Sequence, residues 1–146
     1  MKILNIKMTK KYNYPLLRDA FNSKDINEGI KVLKSRFITM SKNTDKFEKY
    51  FAKKMGSKYA VMTNSGSSAN LLALSCLTHP FNKEKLSSQD EIIIPAICWS
   101  TTLWPIIQNN LKPVFVDVDL NSFNIDTAKI INKINKRTKA IMLVHV

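Results

Sequence analysis

The run Glu91-Ile92-Ile93-Ile94-Pro95 constrains the fold more than any other stretch of this chain. Consecutive isoleucines put apolar, β-branched side chains on both faces of an extended segment, so neither face suits water. A strand of that kind belongs inside a parallel sheet covered on both sides. Three further runs read as buried strands: Tyr59-Ala60-Val61-Met62-Thr63, Val114-Phe115-Val116-Asp117 and Ala140-Ile141-Met142-Leu143-Val144. Between them, helices are expected over residues 67–77, 100–110 and 126–135. The first has Leu71, Leu74 and Leu77 as its apolar stripe; the second carries Pro105 inside it; the third is capped by Asp126 or Thr127. Four strands alternating with helices predict an α/β, three-layer sandwich around a mostly parallel sheet. Right-handed crossovers gather the C-terminal strand ends on one edge, where such sheets bind ligands. Ending on the fourth run, the sheet is expected to be incomplete at its C-terminus, as in the first part of a larger α/β protein.

Upstream the pattern is different. Residues 1–23 lack periodicity and contain Tyr12-Asn13-Tyr14-Pro15, which predicts an extended arm. From Asp25 to Ser35, Ile26, Ile30 and Leu33 recur at helical spacing. A second helix, capped by Asn43 or Thr44, carries Phe47, Tyr50 and Phe51 on one face and closes at Met55-Gly56. The expected division is therefore an arm with amphipathic helices over 1–57, packed onto something larger, and the α/β part over 58–146.

Several function classes drop out on composition. Two cysteines and two histidines in 146 residues form neither a disulfide framework nor a metal-ligand cluster. Cys98, between Ile97 and Trp99, reads as a small buried filler rather than a reactive thiol. No apolar run reaches the roughly 18 residues of a membrane span, and no apolar stretch follows the N-terminal lysines, so a cytoplasmic chain is expected. The net charge of +12 suggests nucleic acid, yet only Arg18, Arg36 and Arg137 among 23 basic residues are arginine. The lysines are dispersed among Asn and Ile, which reads as solvated surface and not as a nucleic-acid face.

Chemistry is most legible in Thr63-Asn64-Ser65-Gly66-Ser67-Ser68-Ala69-Asn70, between a strand and a helix. Small residues there let backbone N–H groups approach an anion, and Ser67 and Ser68 add hydroxyls to the positive end of the helix dipole. The same residues also suit a plain capping turn. No G-x-x-x-x-G-K or G-x-G-x-x-G motif is present. Trp99, after the Ile-rich strand, lies on the same predicted edge and either stacks on an aromatic ligand or plugs the sheet. Trp104 reads as core. Asp117 and Asp119 follow a strand, and Asp119 either functions or merely starts a turn. His145 reads as a structural hydrogen-bonding residue on that edge.

Taken together, YAVMTNSGSSANLLAL from Tyr59, then EIIIPAICWSTTLWPIIQNNLKPVFVDVD, NID and TKAIMLVH resemble the DegT/DnrJ/EryC1/StrS family of sugar-nucleotide aminotransferases. The resemblance runs over about residues 25–146, with every element in family order. NSGSSAN and QNN-x-KPVFVDVDLNSFNID are closer to the branch of 3-dehydratases acting on nucleotide-linked 4-keto-6-deoxyhexoses. It implies the large domain of the aspartate-aminotransferase fold, pyridoxal 5'-phosphate or its pyridoxamine form as cofactor, a nucleotide-sugar substrate and a homodimeric parent protein. It also implies that Gly66, Ser67 and Ser68 hold the cofactor phosphate and that Trp99 stacks on its ring. Asp117 and Asp119 match the family pattern without an assigned role. The family's Asp partner of the pyridine nitrogen, and its Lys (aminotransferases) or His (3-dehydratases) facing the cofactor, fall beyond Val146. The 146 residues alone are therefore expected to show no turnover, and a catalytically inactive truncated fragment stands as the contrasting expectation.

Overall fold

Asn22 starts the first helix of the described chain. Its side-chain oxygen accepts from the N–H groups of Lys24 and Asp25, and the Asp25 carboxylate accepts in return from Asn22 N at 2.9 Å. This reciprocal capping box satisfies donors that a helix start otherwise leaves without partners. The computed structural model describes residues 20–146, so nearly all of the arm expected over 1–23 lies outside the described residues. The chain divides into two units, Met1–Tyr59 and Ala60–Val146.

In the first unit, α1 (Ser23–Ser35) ends where Arg36 takes a left-handed φ of 58°. Helix α2 (Lys42–Met55) begins earlier than the sequence suggests, because Ser41 and neither Asn43 nor Thr44 is the extended residue that caps it. Ser41 Oγ accepts from Asn43 N at 3.3 Å. At the far end Gly56 turns left-handed with φ 68°, as expected of Met55-Gly56. The apolar faces are present but open: Ile26, Leu33 and Tyr50 are all exposed, and Ala52 alone in the two helices is buried. Phe47 and Phe51, one turn apart, stack with ring centroids 5.5 Å apart.

The second unit runs α3 (Gly66–Thr78), β1 (Glu91–Pro95), α4 (Ser100–Gln108), β2 (Lys112–Val116), α5 (Thr127–Ile131) and β3 (Thr138–Ile141). The sheet is parallel, in the order β2-β1-β3, with Ile93 opposite both Val114 and Ile141. All five residues of β1 are buried, which is what its double-sided apolar sequence requires. Alternation of side chains along β1 sorts the core into two layers. Ile92 and Ile94 pack with Leu74 of α3, Ile106 of α4 and Leu111. Ile93 faces the other way, onto Val116, Ile125 and Ile130 of α5. The result is a three-layer α/β arrangement.

Two expectations need correcting. Residues 59–63 form no strand, and Tyr59 and Val61 are exposed. An apolar, β-branched run becomes a strand only when a partner takes its backbone groups. Helix α5 is also shorter than 126–135. Asp126 caps it, accepting from Ala128 N at 3.0 Å, but it ends at Ile131, and Asn135 instead turns toward the start of β3 by accepting from Arg137 N at 2.8 Å.

Candidate functional site

Residues 63–68 make a sharp entry into α3. Thr63 Oγ1 donates to Ser65 O at 2.9 Å, and Ser65, extended at φ −162°, caps the helix. Ser65 Oγ accepts from Ser68 N at 3.2 Å and bonds Ser68 Oγ at 3.1 Å, while Ser65 O accepts from Ala69 N at 3.0 Å. Two backbone donors of the first turn, Gly66 N and Ser67 N, then have no acceptor among the described residues. Such donors, at the positive end of a 13-residue helix, suit an anion. A Cβ placed on Gly66 would meet nothing within 4 Å, so packing does not demand glycine there.

Two hydrogen bonds set α3 against α4. Asn70 Nδ2 donates to Thr101 O at 3.2 Å, and Thr78 Oγ1 donates to Asn109 Oδ1 at 3.0 Å, each spanning 31 residues. Equal offsets at both ends mean that the helices run parallel. Because α4 leaves the C-terminal end of β1, the start of α3 lies on that same edge. The offset also puts Ser68 level with Trp99 along the helix axes.

Trp99 stands at the N-cap of α4, where its side chain makes no capping bond and is 74% exposed. It therefore does not plug the sheet. Ser67 and Ser68 line a cleft of about 260 Å³ together with Leu71, Thr101 and Trp104. Trp104 is thus a wall of this cleft and not a core residue, and Trp99 is not among the lining. The buried face of α4 is filled by Thr102, Pro105 and Ile106, which turns Trp104 outward.

Asp117, Asp119 and Cys98 are tied into the scaffold. Asp117 Oδ2 pairs with Lys129 Nζ at 3.2 Å, and this hydrogen bond, with help from Val118 N, holds its carboxyl below the ordinary range. Asp119 accepts from Ser122 N at 2.9 Å and Asn121 N at 3.1 Å, so it starts a turn; those bonds lower its pKa too. His145 is exposed. Cys98 packs partly buried against the Ile92–Ile94 layer, and that burial pushes its thiol upward, as suits a filler. Among the described residues no group of His, Cys, Asp or Glu could hold a metal ion, and no helix is long and apolar enough to cross a membrane.

Sequence reasoning missed Glu91. It opens β1 at the edge opposite the site, buried, with Asn135 Nδ2 at 2.7 Å, Arg137 Nη2 at 3.0 Å and Lys112 Nζ at 3.6 Å. The available signal was an acid at the first position of an otherwise fully apolar strand.

The DegT/DnrJ/EryC1/StrS aminotransferase family matches this chain over residues 19–146. A GDP-4-keto-6-deoxy-D-mannose 3-dehydratase from Yersinia pseudotuberculosis is 41% identical over 133 residues, which are 91% of this chain and 34% of that protein. A dTDP-3-amino-3,6-dideoxy-alpha-D-galactopyranose transaminase from Aneurinibacillus thermoaerophilus is 35% identical over 84% of this chain and 32% of its own length. The solved structure of E. coli GDP-4-keto-6-deoxy-D-mannose-3-dehydratase with bound hydrated PLP superposes with a TM-score of 0.80 at 42% identity, covering 90% of this chain and 33% of that one. The chain spans about a third of the length of the curated relatives it matches. Because the family model covers residues 19–146, nearly the whole chain, this chain belongs to the DegT/DnrJ/EryC1/StrS aminotransferase family.

Proposed function

We propose that this chain supplies the phosphate-holding turn and ring-stacking wall of a pyridoxal-phosphate-dependent enzyme that removes the 3-hydroxyl of a nucleotide-linked 4-keto-6-deoxyhexose. The observation that carries the reading is the pair of acceptor-free N–H groups of Gly66 and Ser67 at the start of α3. With the Ser67 and Ser68 hydroxyls they form an uncharged, donor-rich set that fits a phosphate. The exposed indole of Trp99, level with Ser68, offers a flat face for an aromatic ring. When bound, pyridoxal or pyridoxamine phosphate supplies an electron sink for bond breaking beside the substrate's carbonyl carbon. Gly66, Ser67, Ser68 and Trp99 would bind and orient that cofactor; none of them is assigned proton transfer.

The 3-dehydratases among the relatives, at 41–42% identity, support dehydration and deoxygenation at carbon 3, a step toward surface-polysaccharide sugars. A second reading is amino transfer at the same site, favoured by the 35% identical transaminase. In the proposed assembly residues 1–57 are an arm with amphipathic helices and 58–146 the first part of the large cofactor domain. The working protein is a cytoplasmic homodimer, and the 146 residues alone have no turnover.

The test begins with the reading frame beyond the codon for Val146. A downstream His at the position facing the cofactor supports 3-dehydration; a Lys there supports amino transfer. The protein expressed from the complete frame is then titrated with pyridoxal phosphate while tryptophan fluorescence is followed. Saturable quenching that disappears in Trp99→Phe and weakens in Ser67→Ala/Ser68→Ala supports the reading. No binding by the wild type would sink it.

A further inference from the structure

Pro105 creates an electrostatic gap in α4. It is the sixth residue of the helix, buried, and has no N–H, so the carbonyl four residues earlier, Thr101 O, lacks its intrahelical donor. The donor that reaches Thr101 O comes from another helix: Asn70 Nδ2, at 3.2 Å. Asn70 is two residues after Ser68, and Thr101 is two residues after Trp99. The bridge therefore joins the phosphate-holding turn to the root of the stacking indole.

The other end of the helix pair is served separately. Asn109 Nδ2 donates to Pro105 O at 2.8 Å, and Thr78 Oγ1 donates to Asn109 Oδ1 at 3.0 Å. Loss of Asn70 thus leaves the C-terminal tie in place and frees only the end that carries the site. A part-buried carbonyl without its donor would also have to find water, which draws the first turn of α4 away from α3.

We infer that Asn70 is a positioning residue: its amide stands in for the N–H that Pro105 lacks and so fixes the height of Trp99 against Ser67 and Ser68. This rests on the cofactor reading above for its consequence, though the bridge itself does not. Neither residue type alone would do. A helix with Ala at 105 would satisfy Thr101 O by itself and would need no bridge; Leu at 70 could pack against α4 but could not donate.

The experiment is a double-mutant cycle in the protein expressed from its complete frame. Wild type, Asn70→Ala, Pro105→Ala and the double variant are compared for pyridoxal phosphate affinity and for the thermal midpoint without cofactor. Asn70→Ala is expected to weaken binding about five- to tenfold, the range of one hydrogen bond. In the Pro105→Ala background the same change should cost less than about twofold, because the restored N–H serves Thr101 O. Equal losses in both backgrounds, or unchanged affinity on removing Asn70, would overturn the inference. Coupling in the thermal midpoint with no change in affinity would also overturn it, leaving the bridge a stability contact only. If the wild type binds no pyridoxal phosphate, the cofactor reading fails and the positioning role fails with it. Coupling of the cofactor-free midpoints would still establish the Asn70–Thr101 bridge.

Discussion

Arg137 Nη2 lies 3.0 Å from Glu91 Oε1, a charge pair that joins the approach to β3 with the first residue of β1. The Glu91 side chain is only 4% exposed, whereas Arg137 remains open to water. Asn135 adds a hydrogen bond at 2.7 Å and Lys112, opening β2, stands at 3.6 Å, so one carboxylate gathers the starts of all three strands.

That arrangement sets a pH dependence. The bond from Asn135, followed by the charges of Arg137 and Lys112, holds the Glu91 carboxyl below its usual range against the opposing effect of burial. A lowered folded value means the stabilisation is complete above the ordinary glutamate value of about 4.3 and is lost as pH falls through the lower, folded one. Thermal midpoints of wild type and Glu91→Gln should therefore differ most near neutral pH and converge in acid. A constant difference down to acid pH would show that the carboxylate's charge is not what matters.

Gly66→Ala separates folding from binding. The glycine has no left-handed φ and open space where a Cβ would stand, so the thermal midpoint without cofactor should shift by no more than about 0.5 kcal/mol would cause. Affinity for pyridoxal phosphate should drop about tenfold, or about 1.4 kcal/mol, because the methyl group takes up space beside the free donors. Unchanged affinity would remove Gly66 from the site.

The two thiols should react unequally. Cys76 is exposed, while Cys98 packs partly buried against the core with its pKa raised by that burial. Timed alkylation at neutral pH, read by mass spectrometry of peptides, is expected to modify Cys76 several-fold faster. Faster reaction at Cys98 would reinstate it as a reactive thiol.

Ile94→Ala tests the sandwich. The side chain is fully buried between α3, α4 and the sheet, and its truncation should cost about 2–5 kcal/mol of stability by denaturant titration. Ile97→Ala, three residues on but 59% exposed, should stay within about 0.5 kcal/mol. Similar costs at both positions would contradict the layer assignment.

What the sequence determined by itself was local. Three isoleucines in a row require a strand hidden on both faces, and β1 is buried throughout. Gly56 and Asp126 end and start helices through their own backbone preference or side-chain reach, within a turn of where they sit. The capped start of the helix at residues 64–68 was legible for the same reason, since a cap and the donors it leaves free depend on neighbours in the chain. Tertiary structure decided everything that needs a distant partner. Residues 59–63 carry strand-like side chains yet form no strand. Trp104 faces a cleft because Thr102, Pro105 and Ile106 already fill the inner face of α4. Glu91 meets Asn135 across 44 residues and Asn70 meets Thr101 across 31. Periodicity and capping act over one or two turns, whereas these bonds exist only once helices and strands far apart in the chain have been packed side by side.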